Sequence, residues 1–339
     1  MKKLSFLFCL ALVLSCANNL EETTQARINL ELIEADYYED DIPYEKAHYA
    51  KTPNHDAEAA LGRLLFYDTR LSYNNAISCA SCHKQSKAFC DSKKLSDGLY
   101  NKQTKRNAMA LANTTYHISS FWEGFHGRLD THILNPVSNH IEMGMRSEED
   151  LKEKLKNTDG YEELFDAVYY EGLTVGNISR SLASFVGSMI SYNSKFDKGK
   201  SIEFSNFNVS ELRGKELFFG KAKCSNCHTG DHFAGRWRRS TNIGLDMEYT
   251  DQGAGQGRFK IPGLRNIELT GPYMHDGRFE TLEEVVEHYS SGIQPHPELD
   301  WELRHDLNLT DEDQEHLVAF LKTLTDYQLI SDPKFSNPF

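Results

Sequence analysis

Apolar residues recur at helical spacing along much of this chain. Ile178, Leu182, Phe185, Val186 and Met189 share one helix face, and Leu317, Phe320, Leu321 and Leu324 share another behind a Thr310 cap. Thr281-Leu282-Glu283-Glu284 is a capping box opening a helix that runs through Val285, Val286 and Tyr289. Residues 211–219 predict a further helix. Strand-like alternation is scarce, so the pattern predicts an all-α fold. Residues 195–209, with their Asn, Ser and Gly content, read as a linker, and residues 253–257 as a Gly-rich loop.

The N-terminus carries a different pattern. Met1-Lys2-Lys3 precedes an apolar run from Leu4 to Leu14, followed by Ser15-Cys16-Ala17. A charged start and a short apolar core read as a secretion signal over residues 1–16, and the run is too short for a permanent bilayer span. Leu12-Val13-Leu14-Ser15-Cys16 resembles a bacterial lipobox, in which the signal is cut before an acylated Cys16; a soluble signal cut a few residues later is the alternative. Secretion predicts the periplasm or cell exterior, and acylation would add membrane attachment. Residues 17–45, polar and then acidic at Glu39-Asp40-Asp41, bury little and read as a tether.

Chemistry enters with two copies of Cys-x-x-Cys-His, at Cys79, Cys82 and His83 and again at Cys224, Cys227 and His228. In this pattern two thiols bond a haem covalently and the adjacent histidine becomes the proximal iron ligand. Zinc is the alternative, but a tetrahedral site needs four converging ligands and nothing nearby completes one. The motifs are far enough apart for one haem c in each of two domains, residues 46–204 and 205–330. Of the other cysteines, Cys9 leaves with the signal, Cys16 would carry lipid, and Cys90 reads as a small packing residue near the first haem. The Gly-rich loop is expected near the second.

Lys+Arg number 37 against 50 Asp+Glu, a net charge of −13; loss of Lys2 and Lys3 with the signal gives 35 − 50 = −15. This balance excludes a nucleic-acid binder and favours a basic or locally basic electron donor.

The order of motifs resembles the bacterial dihaem cytochrome c peroxidase family, which includes the MauG-type enzymes. The resemblance runs from Leu61 to Leu324. It rests on the two haem motifs, Arg106-Asn107, Trp122, Pro136, the stretch from Asn139 through Glu142 to Met143, Leu264-Arg265-Asn266, and residues 269–277, Leu-Thr-Gly-Pro-Tyr-Met-His-Asp-Gly. It implies two cytochrome c-like helical domains, a peroxide-reducing N-terminal haem and an electron-transferring C-terminal haem.

Further roles follow from the same resemblance. Glu142 matches the catalytic glutamate that moves a proton between the peroxide oxygens, and Pro136 a distal-pocket proline. Trp122 matches the tryptophan relaying electrons between haems, although Glu123-Gly124-Phe125 departs from the usual Asp-Gly-Arg. His132 stands where many relatives have glutamine; it would polarise the O–O bond, titrate and tune the site, or face outward. Asn107, Thr270 and Pro272 match the ligands of a calcium ion between the haems, the last two through backbone carbonyls. Tyr289 occupies the position of the methionine that binds the C-terminal iron in classical members, as in MauG-type proteins, with Met274 as competitor. Residues 96–101 lack the histidine that blocks the N-terminal iron in some relatives, so the resting site is expected to be open.

These matches predict a peroxidase that reduces hydrogen peroxide to water with electrons from a c-type cytochrome or copper protein. A MauG-like enzyme that oxidatively modifies a protein is the second reading, and a non-enzymatic dihaem electron carrier the third. Because relatives often dimerise, the resemblance also admits a homodimer.

Overall fold

The computed structural model describes residues 35–38, 55–235, 240–305 and 307–339. The expected signal segment, Cys16 and nearly all of the expected tether lie outside the described residues. Among the described residues ten α-helices follow in order: α1 His55–Tyr67, α2 Cys79–Cys82, α3 Asn135–Ser138, α4 Glu148–Lys156, α5 Tyr161–Val168, α6 Val175–Gly187, α7 Lys195–Lys200, α8 Val209–Phe219, α9 Leu282–Glu287 and α10 Asp311–Lys322. Among the described residues the one sheet is a two-residue antiparallel pairing of β1 (Ser240–Thr241) with β2 (Phe259–Lys260), Ser240 opposite Lys260. The all-α expectation holds.

The helix starts are set by the residues expected to set them. Thr310 Oγ1 accepts the Asp313 N–H at 3.1 Å, and Thr281 Oγ1 the Glu284 N–H at 3.2 Å while the Glu284 carboxylate accepts back from the Thr281 N–H. Helix α9 does not run on regularly through Tyr289: after Glu287 it widens into a π-helical turn, His288–Gly292. Residues 195–209 are no linker. Their Ser and Asn neighbours act as caps, Ser194 on α7 and Asn208 on α8, and Phe196 and Phe207 pack in a core. Asp197 there holds the buried Arg265 with two bonds of 2.7 and 2.8 Å.

Two cores are built on one plan. In the first, α1 crosses α6, with Phe66 and Phe185 rings 5.2 Å apart; in the second, α8 crosses α10, with Phe218 and Phe320 rings 5.1 Å apart. A glycine makes each crossing possible. A Cβ on Gly62 would lie 1.9 Å from the Ser181 carbonyl oxygen, and one on Gly214 would lie 1.8 Å from that of His316, so backbone meets backbone directly.

An asparagine then clamps each core to the chain leaving its last helix. Asn113 and Asn266 both have φ of 60°, a left-handed conformation that asparagine tolerates. Asn113 binds the Met189 carbonyl and Ser191 N–H; Asn266 binds the Leu324 carbonyl and Asp326 N–H.

The chain's later part breaks this symmetry. After the second core it returns to the first, where Phe335 packs against Tyr37, Phe89 and Phe185. The Ser336 carbonyl accepts from Arg63 at 2.7 Å, the Phe335 carbonyl accepts from Tyr67 at 2.6 Å, and Leu329 joins the same core.

Candidate functional site

The first haem motif forms α2, whose start is closed by reciprocal bonds between Ser78 and Ser81. His83 ends it, its N–H bonded to the Cys79 carbonyl at 2.9 Å, and its Nδ1 donates to the Phe89 carbonyl at 2.9 Å. That bond fixes the tautomer and leaves Nε2 as the metal-binding atom. Burial pushes the Cys79 thiol up to about 12 and Cys82 to about 11, and the Glu142 charge adds to both. Glu142 therefore stands beside this motif. It is half-buried, burial raises its pKa, and Asn139 Nδ2 donates to its Oε1 at 3.0 Å.

Three further features are expected at this end. Residues 96–101 are tied to the Glu142 segment by the Leu99 N–H, which reaches the Ile141 and Glu142 carbonyls at 2.7 and 3.0 Å. Pro136 opens α3 and is half-buried, beside Val137 of the first core. His132 is 2% exposed, its ring 5.4 Å from Phe121 and 4.9 Å from Phe125, which overturns the outward-facing alternative. Two phenyl rings exclude water from it, burial lowers its pKa, and its Nε2 has no hydrogen-bond partner. Glu142 takes its bond from Asn139 rather than from His132.

Between the motifs lies a knot around Asn107. Its N–H donates to the His275 carbonyl at 2.8 Å, its carbonyl accepts from Trp122 Nε1 at 2.9 Å, and its side chain donates to the Lys93 and Lys94 carbonyls. Trp122 sits edge-on to His275 and Phe259, which stack on each other at 3.7 Å. Where Glu123 replaces the usual residue, it pairs with Arg106, which also grips Asp251 at 2.7 and 2.8 Å.

The second motif opens onto a large cavity lined by Cys224, Cys227, His228, Tyr289 and Met274. His228 Nδ1 donates to the Phe233 and Pro262 carbonyls, both at 3.1 Å, repeating the scheme at His83. Burial raises the Tyr289 phenol, with the two cysteines adding to the rise, so Tyr289 faces the thioether-forming pair from the π-helical turn. Trp122, Asn107, Thr270 and Pro272 line the same cavity, whereas residues 253–257 do not; Phe259 and Lys260 beyond that loop do.

Cys90 lines it too, 1% exposed, its Sγ donating to the Ala108 carbonyl at 2.8 Å. Burial pushes this thiol up to about 12, which suits a packing residue rather than a nucleophile. Its place is the wall of the second cavity, not only the neighbourhood of the first haem.

Both donor sets fit a haem c: two thiols, a histidine with Nδ1 committed to backbone carbonyls, and an apolar surround. Zinc is not supported, because among the described residues no three His, Cys, Asp or Glu side chains converge on a metal position. Sequence reasoning missed Asn113, His117, His232 and Lys260. Asn113 had a signal, since Leu111-Ala112-Asn113 repeats the Leu-x-Asn of Leu264-Arg265-Asn266. The other three come together only through tertiary contacts.

Comparison with known proteins agrees with this geometry. A family model for di-haem cytochrome c peroxidase matches residues 56–201, and one for cytochrome c matches residues 212–325. The methylamine utilization protein MauG of Methylorubrum extorquens is 31% identical over 299 residues, 84% of this chain and 81% of that protein. Cytochrome c551 peroxidase of Nitrosomonas europaea is 34% identical over 301 residues, 85% of each. Among solved structures, a MauG-like protein associated with microbial copper homeostasis superposes with a TM-score of 0.79 at 31% identity, covering 89% of this chain and 99% of that one.

Proposed function

The chain belongs to the di-haem cytochrome c peroxidase (MauG) family of oxidoreductases and binds two c-type haems; from that premise we propose that it is a peroxidase reducing hydrogen peroxide with electrons from a small redox protein. The observation that carries this reading is Glu142: a half-buried carboxylate, oriented by Asn139, beside the Cys79 and Cys82 pair. An electron carrier has no use for a proton-transferring group there.

Cys79, Cys82 and His83 would hold the first haem, which would supply an iron able to take up peroxide. Glu142 takes a proton from one peroxide oxygen and returns it to the other, so that water leaves instead of hydroxide. Pro136 and the buried His132 limit solvent, and His132 Nε2 is the unbonded polar atom suited to orient peroxide. Trp122, between the two halves, would pass electrons from a haem held at the second motif. Tyr289, in preference to Met274, would be the protein ligand to a haem held by Cys224, Cys227 and His228, favouring its ferric state. Asn107, with the Thr270 and Pro272 carbonyls, would hold a calcium ion. With no histidine in residues 96–101, the resting first site would accept peroxide without prior reduction.

MauG-like modification of a protein is the second reading, favoured by Tyr289 facing the second cysteine pair. Stopped-flow absorption separates the two: stoichiometric peroxide is added to the fully ferric protein, then reduced cytochrome c. Fast cytochrome oxidation supports the peroxidase. A long-lived oxidised spectrum that cytochrome c does not discharge supports protein modification. We further propose export, with Cys16 lipid-anchored on the outer side of a membrane; a Cys16→Ala variant that still sediments with membranes removes the anchor.

A further inference from the structure

Lys260 is a buried lysine that meets no counter-charge among the described residues. It is 7% exposed, on β2, and its backbone N–H donates to the Trp122 carbonyl at 2.9 Å. Its Nζ lies 3.2 Å from His117 Nδ1, so a protonated lysine donates to a neutral imidazole. His117 stays neutral: burial drives its pKa well below the ordinary value, and the charge of Lys260 and then His232 lower it further. His232 is also uncharged, its pKa lowered to about 4 mainly by burial, and its ring stacks on Tyr116 at 4.3 Å. Among the described residues no carboxylate pairs with Lys260, and burial alone lowers it to about 8.

Other shielded cations are treated differently. Buried Arg265 is held twice by Asp197, and Arg106 twice by Asp251. An ammonium group taken out of water unpaired costs several kcal/mol, so a fold keeps one only where an anion meets it. Lys260, His117 and His232 all line the cavity that Cys224, Cys227 and His228 enter, and the group bound there brings two carboxylates of its own. We propose that Lys260, backed by His117, is the counter-cation for a carboxylate of the C-terminal haem and through this pairing raises that haem's reduction potential.

The inference rests on a haem being seated in this cavity and is independent of peroxidase turnover. Placed next to Trp122, the pair sits where electrons would pass from one half to the other. A positive charge at that edge favours the ferrous state, because reduction removes one unit of charge from the iron.

The test is spectroelectrochemical titration of the doubly haem-loaded K260Q and K260R proteins, with haem content fixed by the pyridine haemochrome assay. We expect K260Q to shift the C-terminal haem roughly tenfold toward ferric, about 59 mV for one electron, and K260R to hold the wild-type value. The N-terminal haem serves as internal control. A loaded K260Q protein with unchanged potential overturns the proposal, whatever its activity with peroxide. Should K260Q fail to load, a crystal structure of the wild-type holoprotein decides: Lys260 Nζ within hydrogen-bond distance of a haem carboxylate supports the pairing, and Nζ bonded only to protein or water overturns it.

Discussion

Glu142 and Tyr289 each have a measurable signature. Burial raises the Glu142 carboxyl, and in the proposed mechanism it must be ionised to take the peroxide proton. Peroxide turnover therefore falls as pH drops through this raised value, beginning at higher pH than for an ordinary glutamate. E142Q should lose about 10²- to 10⁴-fold in turnover and show no such acid limb, with both haem spectra intact; a variant that retains the wild-type rate excludes Glu142 as the proton carrier. Replacing Tyr289 by methionine should raise the potential of the second haem, since methionine ligation favours ferrous iron. An unchanged potential and spectrum in Y289M would assign the ligand to Met274 instead.

At the level of elements, the two glycine crossings give a matched pair of expectations. G62A and G214A each force a methyl group into a backbone carbonyl, so the crossing helices must part. Each should cost about 1–3 kcal/mol, read as a lowered midpoint in thermal unfolding of the holoprotein, while G176A, where the methyl meets nothing closer than 3.8 Å, should be nearly neutral. Much of this architecture was legible. The caps at Thr281 and Thr310 and the stripes on α6 and α10 obey local rules that a linear pattern records. The segment 195–209 was not legible, because Ser and Asn serve equally as loop residues and as helix caps, and only Phe196 meeting Phe233 and Phe320 decides between them. The same limit applied to the site. Covalent attachment is written in adjacent residues, and Glu142 in a motif; the burial of His132 between Phe121 and Phe125, and of Lys260 against His117, depends on chains of contact that no spacing encodes.

For the molecule as a whole, the returning segment makes the halves interdependent. Phe335 fills the first core beside Phe89, whose carbonyl holds His83. F335A should lose about 3–5 kcal/mol and loosen the first haem site more than the second, seen as broadened spectral features of one haem; equal effects on both would mean that the segment is only a general brace. Arg63 finds its partner Ser336 only 273 residues further along the chain, and Gln85 finds Leu329 after 244. That distance imposes an order in time. A polypeptide emerging N-terminus first exposes the first haem motif and its phenylalanines early, yet cannot close over them until the second half has passed. Cys79 and Cys82 therefore stay open to the attachment machinery longest, and the first haem site is the last part of the protein to be sealed.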